Sequence, residues 1–175
     1  RYWGTPLPIW RSKDGKDEIC IGSIQELRGE IAKAAKAGIK NDETKIKNLE
    51  DLHRPYVDEI TLVSTSGQPM FREPDLIDVW FDSGAMPYAQ WHYPFENKET
   101  FEESYPADFI SEGVDQTRGW FFTLHAIATL LSESSDEIKA VNKKVGTNGI
   151  SFKNVVSTGL VLDKFGEKMS KRKGN

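Results

Sequence analysis

Residues 107–131 read ADFISEGVDQTRGWFFTLHAIATLL, and this stretch sets the expected fold. Asp108-Phe109-Ile110-Ser111 is a short apolar run with the length and side chains of a buried strand. Glu112-Gly113-Val114-Asp115-Gln116 follows as a turn rich in carboxylates and carrying a glycine. From Trp120 onward, Leu124, Ile127, Ala128 and Leu131 fall on one helical stripe. Strand, polar loop and helix in that order place ligand groups beyond the carboxyl end of a strand in an open α/β sheet. A second stretch, residues 160–175 (LVLDKFGEKMSKRKGN), ends in a lysine-rich loop. Together the two predict one nucleotide-handling site.

Working outward, residues 1–10 (RYWGTPLPIW) are aromatic, with Pro6 and Pro8 imposing extended backbone before them. That suits either an extended segment packed on a core or a direct ligand contact. Residues 11–18 read as a charged loop. Ser23-Ile24-Gln25-Glu26 is a capping box, Ile24, Leu27, Ile31 and Ala35 have helical spacing, and Gly38 suits a C-terminal stop. The reading here is a structural amphipathic helix. Residues 41–55 predict a polar surface excursion, and Ile60 to Val63 a strand with a turn at Ser64-Thr65-Ser66-Gly67. Residues 75–84 (DLIDVWFDSG) predict another strand, with Trp80 and Phe81 as ordinary core. His92, in the aromatic stretch 86–95, reads as a structural hydrogen-bonder. Residues 132–149 predict a polar surface insertion, residues 153–162 a return to strand, and Asp163-Lys164-Phe165-Gly166 a hairpin turn.

Composition bounds the class. A chain of 175 residues, 38% hydrophobic and 29% charged, is globular and long enough for one core or for a core with an inserted subdomain. No apolar run approaches the roughly 20 residues that cross a bilayer, so no membrane association is expected. The chain opens on Arg1 without an initiator Met or a signal peptide, which predicts a piece of a longer protein. Cys20 is the single cysteine, excluding an intrachain disulfide and a multi-cysteine zinc site. A reducing, cytoplasmic setting is expected. A net charge of −4 excludes a general polyanion binder, so any phosphate contact must come from a local basic patch.

Lys168-Met169-Ser170-Lys171-Arg172-Lys173-Gly174 is such a patch. On charge alone it is either a phosphate clamp or a solvated basic tail, the latter making the chain a non-enzymatic RNA-binding domain. Its order after a D-x-x-G turn resembles the KMSKS loop of class I aminoacyl-tRNA synthetases, with Arg172 where Ser is usual. Gly113-x-Asp115-Gln116-x-x-Gly119-Trp120 resembles the second nucleotide-contacting motif of the isoleucine, valine and leucine subgroup. The stretches RYWGTPLPIW, DVWFDSGAMPYAQWHYPFEN and ADFISEGVDQTRGWF are most similar to the isoleucyl-tRNA synthetase family, with the valyl and leucyl families as near alternatives.

The resemblance implies a fold class, roles and partners. The fold is α/β: residues 76–175 as the second half of a Rossmann-like nucleotide-binding catalytic domain, and residues 1–75 as the end of an editing-domain insertion, a small α+β stem. Glu112, Gly113, Asp115 and Gln116 would bind the aminoacyl-adenylate, and Trp80 and Trp120 would grip the aliphatic side chain. Thr158, Gly159, Met169, Ser170 and Lys171 would form the ATP-binding loop, with Lys168 and Lys171 catalytic. The implied partners are isoleucine, ATP with Mg2+, and tRNA; a monomer is expected. The HIGH-type motif is absent from the chain. Thr158 stands where a histidine is common, and the cysteines of a zinc knuckle are replaced around Arg11-Ser12-Lys13-Asp14 and Ser64–Gly67, so no zinc is expected. A shape-only apolar pocket separates side chains differing by one methylene by about 1–3 kcal/mol, a range established partly on isoleucine-activating enzymes themselves, and this is why such enzymes carry a separate editing domain.

Overall fold

Trp10 organises the first part of the chain. Its ring is buried to 1% exposure, and its indole Nε1–H donates to the Ile60 carbonyl at 2.9 Å. In the computed structural model, which describes residues 4–42, 49 and 51–169, the chain divides into two units, residues 1–79 and 80–175.

The first unit is an antiparallel sheet with one helix. β1 (Ile9–Ser12), β2 (Glu18–Cys20), β3 (Thr61–Val63) and β4 (Pro69–Arg72) lie in the order β2-β1-β4-β3. Trp10 stands opposite both Ile19 and Arg72. Residues 11–18 are therefore not a loop throughout. Arg11 and Ser12 finish β1 and Glu18 opens β2, because Ser12 and Asp17 close a tight hairpin by backbone pairing at 3.0 Å. Helix α1 (Ile24–Lys36) starts as expected: Ser23 Oγ accepts from the Glu26 N–H at 3.1 Å, and the Glu26 carboxylate accepts from the Gly22 N–H at 2.7 Å. The chain leaves α1 through Gly38 at φ +85, which a glycine adopts without strain. Leu27 from α1 joins Trp10, Val57, Ile60, Leu62 and Met70 in the core.

Residues 75–84 are not a strand. Leu76 makes one bridge to Pro6, and Val79–Gly84 then coils into a short helix, α2. Trp80 and Phe81 are 43% and 42% exposed rather than core. Short apolar runs, here Leu76-Ile77 and Val79-Trp80-Phe81 separated by Asp78, are too brief for a period that separates strand from helix, and the contacts of Ser83 and Gly84 described below favour the helix.

In the second unit, α3 (Met86–Ala89) and α4 (Lys98–Ser104) precede β5 (Ile110–Gly113). Helix α5 (Trp120–Ser134) begins at the expected position. Residues 132–149 are no surface insertion. They hold the end of α5 and a further helix, α6 (Asp136–Val145), capped by Ser135 Oγ and ended at Gly146 with φ +75. Ile138 and Val141 have helical spacing and pack on Phe101, Tyr88 and Tyr105, so a polar-looking segment buries an apolar stripe. β6 (Val155–Thr158) then pairs with β5 in parallel. Leu124 of α5, 1% exposed, packs with Ile110 and Phe121 beneath that pair. The chain has mixed α/β content throughout, and among the described residues no helix is long and apolar enough to cross a membrane.

Candidate active site

The strand ends place the candidate residues. β5 and β6 run in parallel with Glu112 opposite Ser157 and Gly113 opposite Thr158, so the acidic turn and the Thr158-Gly159 segment leave the sheet at the same end. At the opposite end, Lys153 bonds the Asp108 carboxylate at 2.8 Å and holds it below the usual carboxylate range.

Past Gly113 the backbone makes a 3-10 turn (Val114–Arg118) that delivers the chain into α5. Gln116 bends back so that its Oε1 accepts the Trp120 N–H at 2.9 Å, satisfying one of the free donors at the start of the helix. The Trp120 indole Nε1–H donates to the Ser83 carbonyl at 3.0 Å, fixing the ring against α2. Gly119 lies under the Trp80 ring: a Cβ there would stand 3.3 Å from Trp80 Cη2 and 2.6 Å from Gln116 Oε1.

These contacts frame an open cavity of about 330 Å³ lined by Trp80, Ser83, Glu112, Gln116 and Trp120. Two indoles supply apolar wall, while a carboxylate and an amide supply acceptors for an ammonium or a hydroxyl. Four of the residues singled out in the sequence thus share one cavity: Trp80, Trp120, Glu112 and Gln116. Asp115 does not line it. Its carboxylate folds over Gly113, where an added Cβ would meet Asp115 Oδ1 at 2.6 Å. Ser83 was missed because residues 75–84 read as a strand; on a helix it lies three residues from Trp80 and shares its face.

Thr158 and Gly159 are exposed at the end of β6. Beyond them the expected turn is present: Asp163 Oδ1 accepts from the Phe165 and Glu167 N–H groups, both at 2.9 Å, Gly166 has φ +81, and Leu162 bridges Lys168. Lys168 and Met169 are exposed there, and the Met169 N–H reaches the Val161 carbonyl at 3.3 Å. Ser170 and Lys171 lie outside the described residues.

The two turns of the first unit where a zinc knuckle would fall are tied together by hydroxyls and carboxylates. Ser12 Oγ donates to Asp14 at 2.7 Å, Ser66 Oγ donates to Asp17 at 2.6 Å, and Ser64 and Ser66 meet at 2.8 Å. Cys20 is exposed on β2. Among the described residues no three His, Cys, Asp or Glu side chains stand together as a metal site.

The chain belongs to the family of tRNA synthetases class I (I, L, M and V), whose model matches residues 1–175. Within that class it is similar to isoleucine–tRNA ligases. It is 66% identical over 175 residues to that of Cytophaga hutchinsonii, 62% over 190 residues to that of Porphyromonas gingivalis, and 49% over 175 residues to that of Thermus thermophilus. Each match covers 100% of this chain, which spans 14–15% of the length of these relatives.

Proposed function

We propose that this chain is part of an isoleucine–tRNA ligase, with residues 76–175 forming the second half of its Rossmann-like catalytic domain and residues 1–75 the end of its editing-insertion stem. The observation that carries this reading is the cavity between Trp80 and Trp120 with Glu112 and Gln116 in its lining. Two indole faces suit an aliphatic side chain, and the acceptors beside them suit the ammonium of an amino acid or the ribose hydroxyls of its adenylate.

In the reaction, a carboxylate oxygen of isoleucine bonds to the α-phosphorus of ATP. The bond from that phosphorus to the bridging oxygen breaks, and pyrophosphate leaves. A terminal ribose hydroxyl of tRNA then attacks the acyl carbonyl and AMP departs. Glu112, Gly113, Asp115 and Gln116 hold the adenylate, and Trp80 and Trp120 hold the side chain. Thr158, Gly159, Met169 and Ser170 border the nucleotide, and Lys168 and Lys171 neutralise charge on the departing pyrophosphate. Mg2+ accompanies ATP as part of the substrate. The setting proposed is the cytoplasm, and the protein a monomer without zinc in this region.

The test is isoleucine-dependent ATP–pyrophosphate exchange. The full-length parent should exchange with isoleucine, and the isolated 175-residue chain should not. Exchange driven by valine or leucine in preference to isoleucine would move the assignment, and parent-level exchange by the isolated chain would refute its place as half of a site. Elemental analysis of the isolated chain should find no tightly held zinc; about one per chain would contradict that part of the reading.

A further inference from the structure

Gly84 ends α2 directly against the backbone of α5. A Cβ built there would lie 2.8 Å from the Thr123 carbonyl carbon, 2.8 Å from Thr123 Cβ and 2.9 Å from Ile127 Cδ1. Such distances are well inside contact, and the first involves backbone that cannot swing aside, so any side chain at this position must separate the two helices. The glycine is required for close approach.

The consequence falls on the cavity. α2 carries Trp80 and Ser83, and α5 begins at Trp120. The helices are held together at three points: Gly84 on Thr123, the Ser83 carbonyl on the Trp120 indole N–H at 3.0 Å, and the Trp80 ring over Gly119. With Gln116 capping the first turn of α5 and the Ser83 carbonyl holding the Trp120 indole, the spacing of the two indoles follows the distance between the helices. We infer that Gly84 is a specificity-positioning residue: touching no ligand, it fixes the spacing of Trp80 and Trp120 and so the size of aliphatic side chain the cavity accepts. This rests on the proposed reading of the cavity as the amino-acid pocket.

The test is Gly84→Ala in the full-length parent, with exchange kinetics measured for isoleucine and for valine, which is one methylene smaller. Separating the helices by a fraction of an ångström to about 1 Å should raise the isoleucine KM on the order of tenfold or more, the scale of such a misplacement. The isoleucine-to-valine ratio of kcat/KM should fall by a similar factor, while the KM for ATP stays within about twofold. A purely structural role predicts equal loss for both amino acids with the ratio unchanged, and that result would overturn the inference. If Gly84→Ala does not fold, as judged by circular dichroism, Ile127→Phe decides. It enlarges the side chain that faces Gly84 across the two helices, lies outside the cavity lining, and should also lower the ratio; a folded Ile127→Phe with an unchanged ratio overturns the inference. A wild-type parent with no isoleucine-dependent exchange would refute the pocket reading itself, a different outcome from an active wild type whose selectivity ignores Gly84.

Discussion

Asp58→Ala should open the sheet of the first unit, and its cost can be worked from the surroundings of Arg72. The Arg72 side chain is 1% exposed. Its Nε donates to Asp58 at 2.6 Å and its Nη2 pairs with the same carboxylate, while Nη1 reaches the Leu7 and Asp75 carbonyls at 3.2 and 3.3 Å. Deleting one partner of a buried ion pair costs about 3–5 kcal/mol because the remaining charge is left buried. Here Asp58 is 27% exposed and two carbonyls stay on the guanidinium, which points to the lower end, about 3 kcal/mol. Arg54, 46% exposed and also bonded to Asp58, adds less than about 1 kcal/mol. The assay is native-state hydrogen exchange by mass spectrometry on peptides covering β1 and β4, whose pairing joins Trp10 to Arg72. A loss of about 3 kcal/mol corresponds to exchange on the order of 100-fold faster. Adding Arg72→Met to Asp58→Ala should recover part of it by removing the stranded charge. Unchanged exchange in Asp58→Ala, or a double variant weaker than the single, would refute the reasoning.

Lys171→Ala in the full-length parent should slow adenylate formation on the order of 100-fold with little change in ATP affinity, whereas Lys173→Ala should matter far less. Single-turnover measurements check this, and equal small effects would restore the basic-tail reading. Leu124→Ala should cost about 2–5 kcal/mol in thermal or urea unfolding, because the side chain is 1% exposed beneath the β5–β6 pair. Burial pushes the hydroxyls of Tyr88 and Tyr105 above the ordinary tyrosine value of 10.0, so both should remain protonated in ultraviolet titration where an exposed tyrosine ionises. A raised folded-state value means their contribution to stability is whole below pH 10.0 and is lost as the pH climbs past it; early tyrosinate from this pair in the folded protein would contradict the burial.

What the sequence could disclose followed from how local each signal was. α1 was legible because Ser23, Glu26 and Gly38 carry its start and stop within the segment itself. α5 was legible from its stripe. β5 was displaced by two residues, since Glu112 and Gly113 are strand only through pairing with Ser157 and Thr158, which no local pattern encodes. α2 was misread because Trp80 and Phe81 suggest a buried strand, whereas Ser83 and Gly84 are engaged by α5, a distant segment. α6 was hidden by its charged residues, although Ile138, Val141 and Val145 keep helical spacing. For the candidate site, family resemblance pairs Trp80 with Trp120, but Ser83 joins them only because the segment carrying Trp80 is a helix and not a strand.

The parallel register of β5 and β6 also sets an order of events during synthesis. Gly113 finds its partner only when Thr158 has been made, so β5 and its acidic turn leave the ribosome well before the strand that completes them. At about 5–20 residues per second that interval lasts several seconds. Until then the β5 edge stands open, with Phe109 beside it, as a template for pairing with another chain. α5 can coil from local contacts in that window, and its Leu124 then packs against Ile110 on one face of the strand. The helix that follows the strand therefore covers one face of the nascent half-site before its edge is paired.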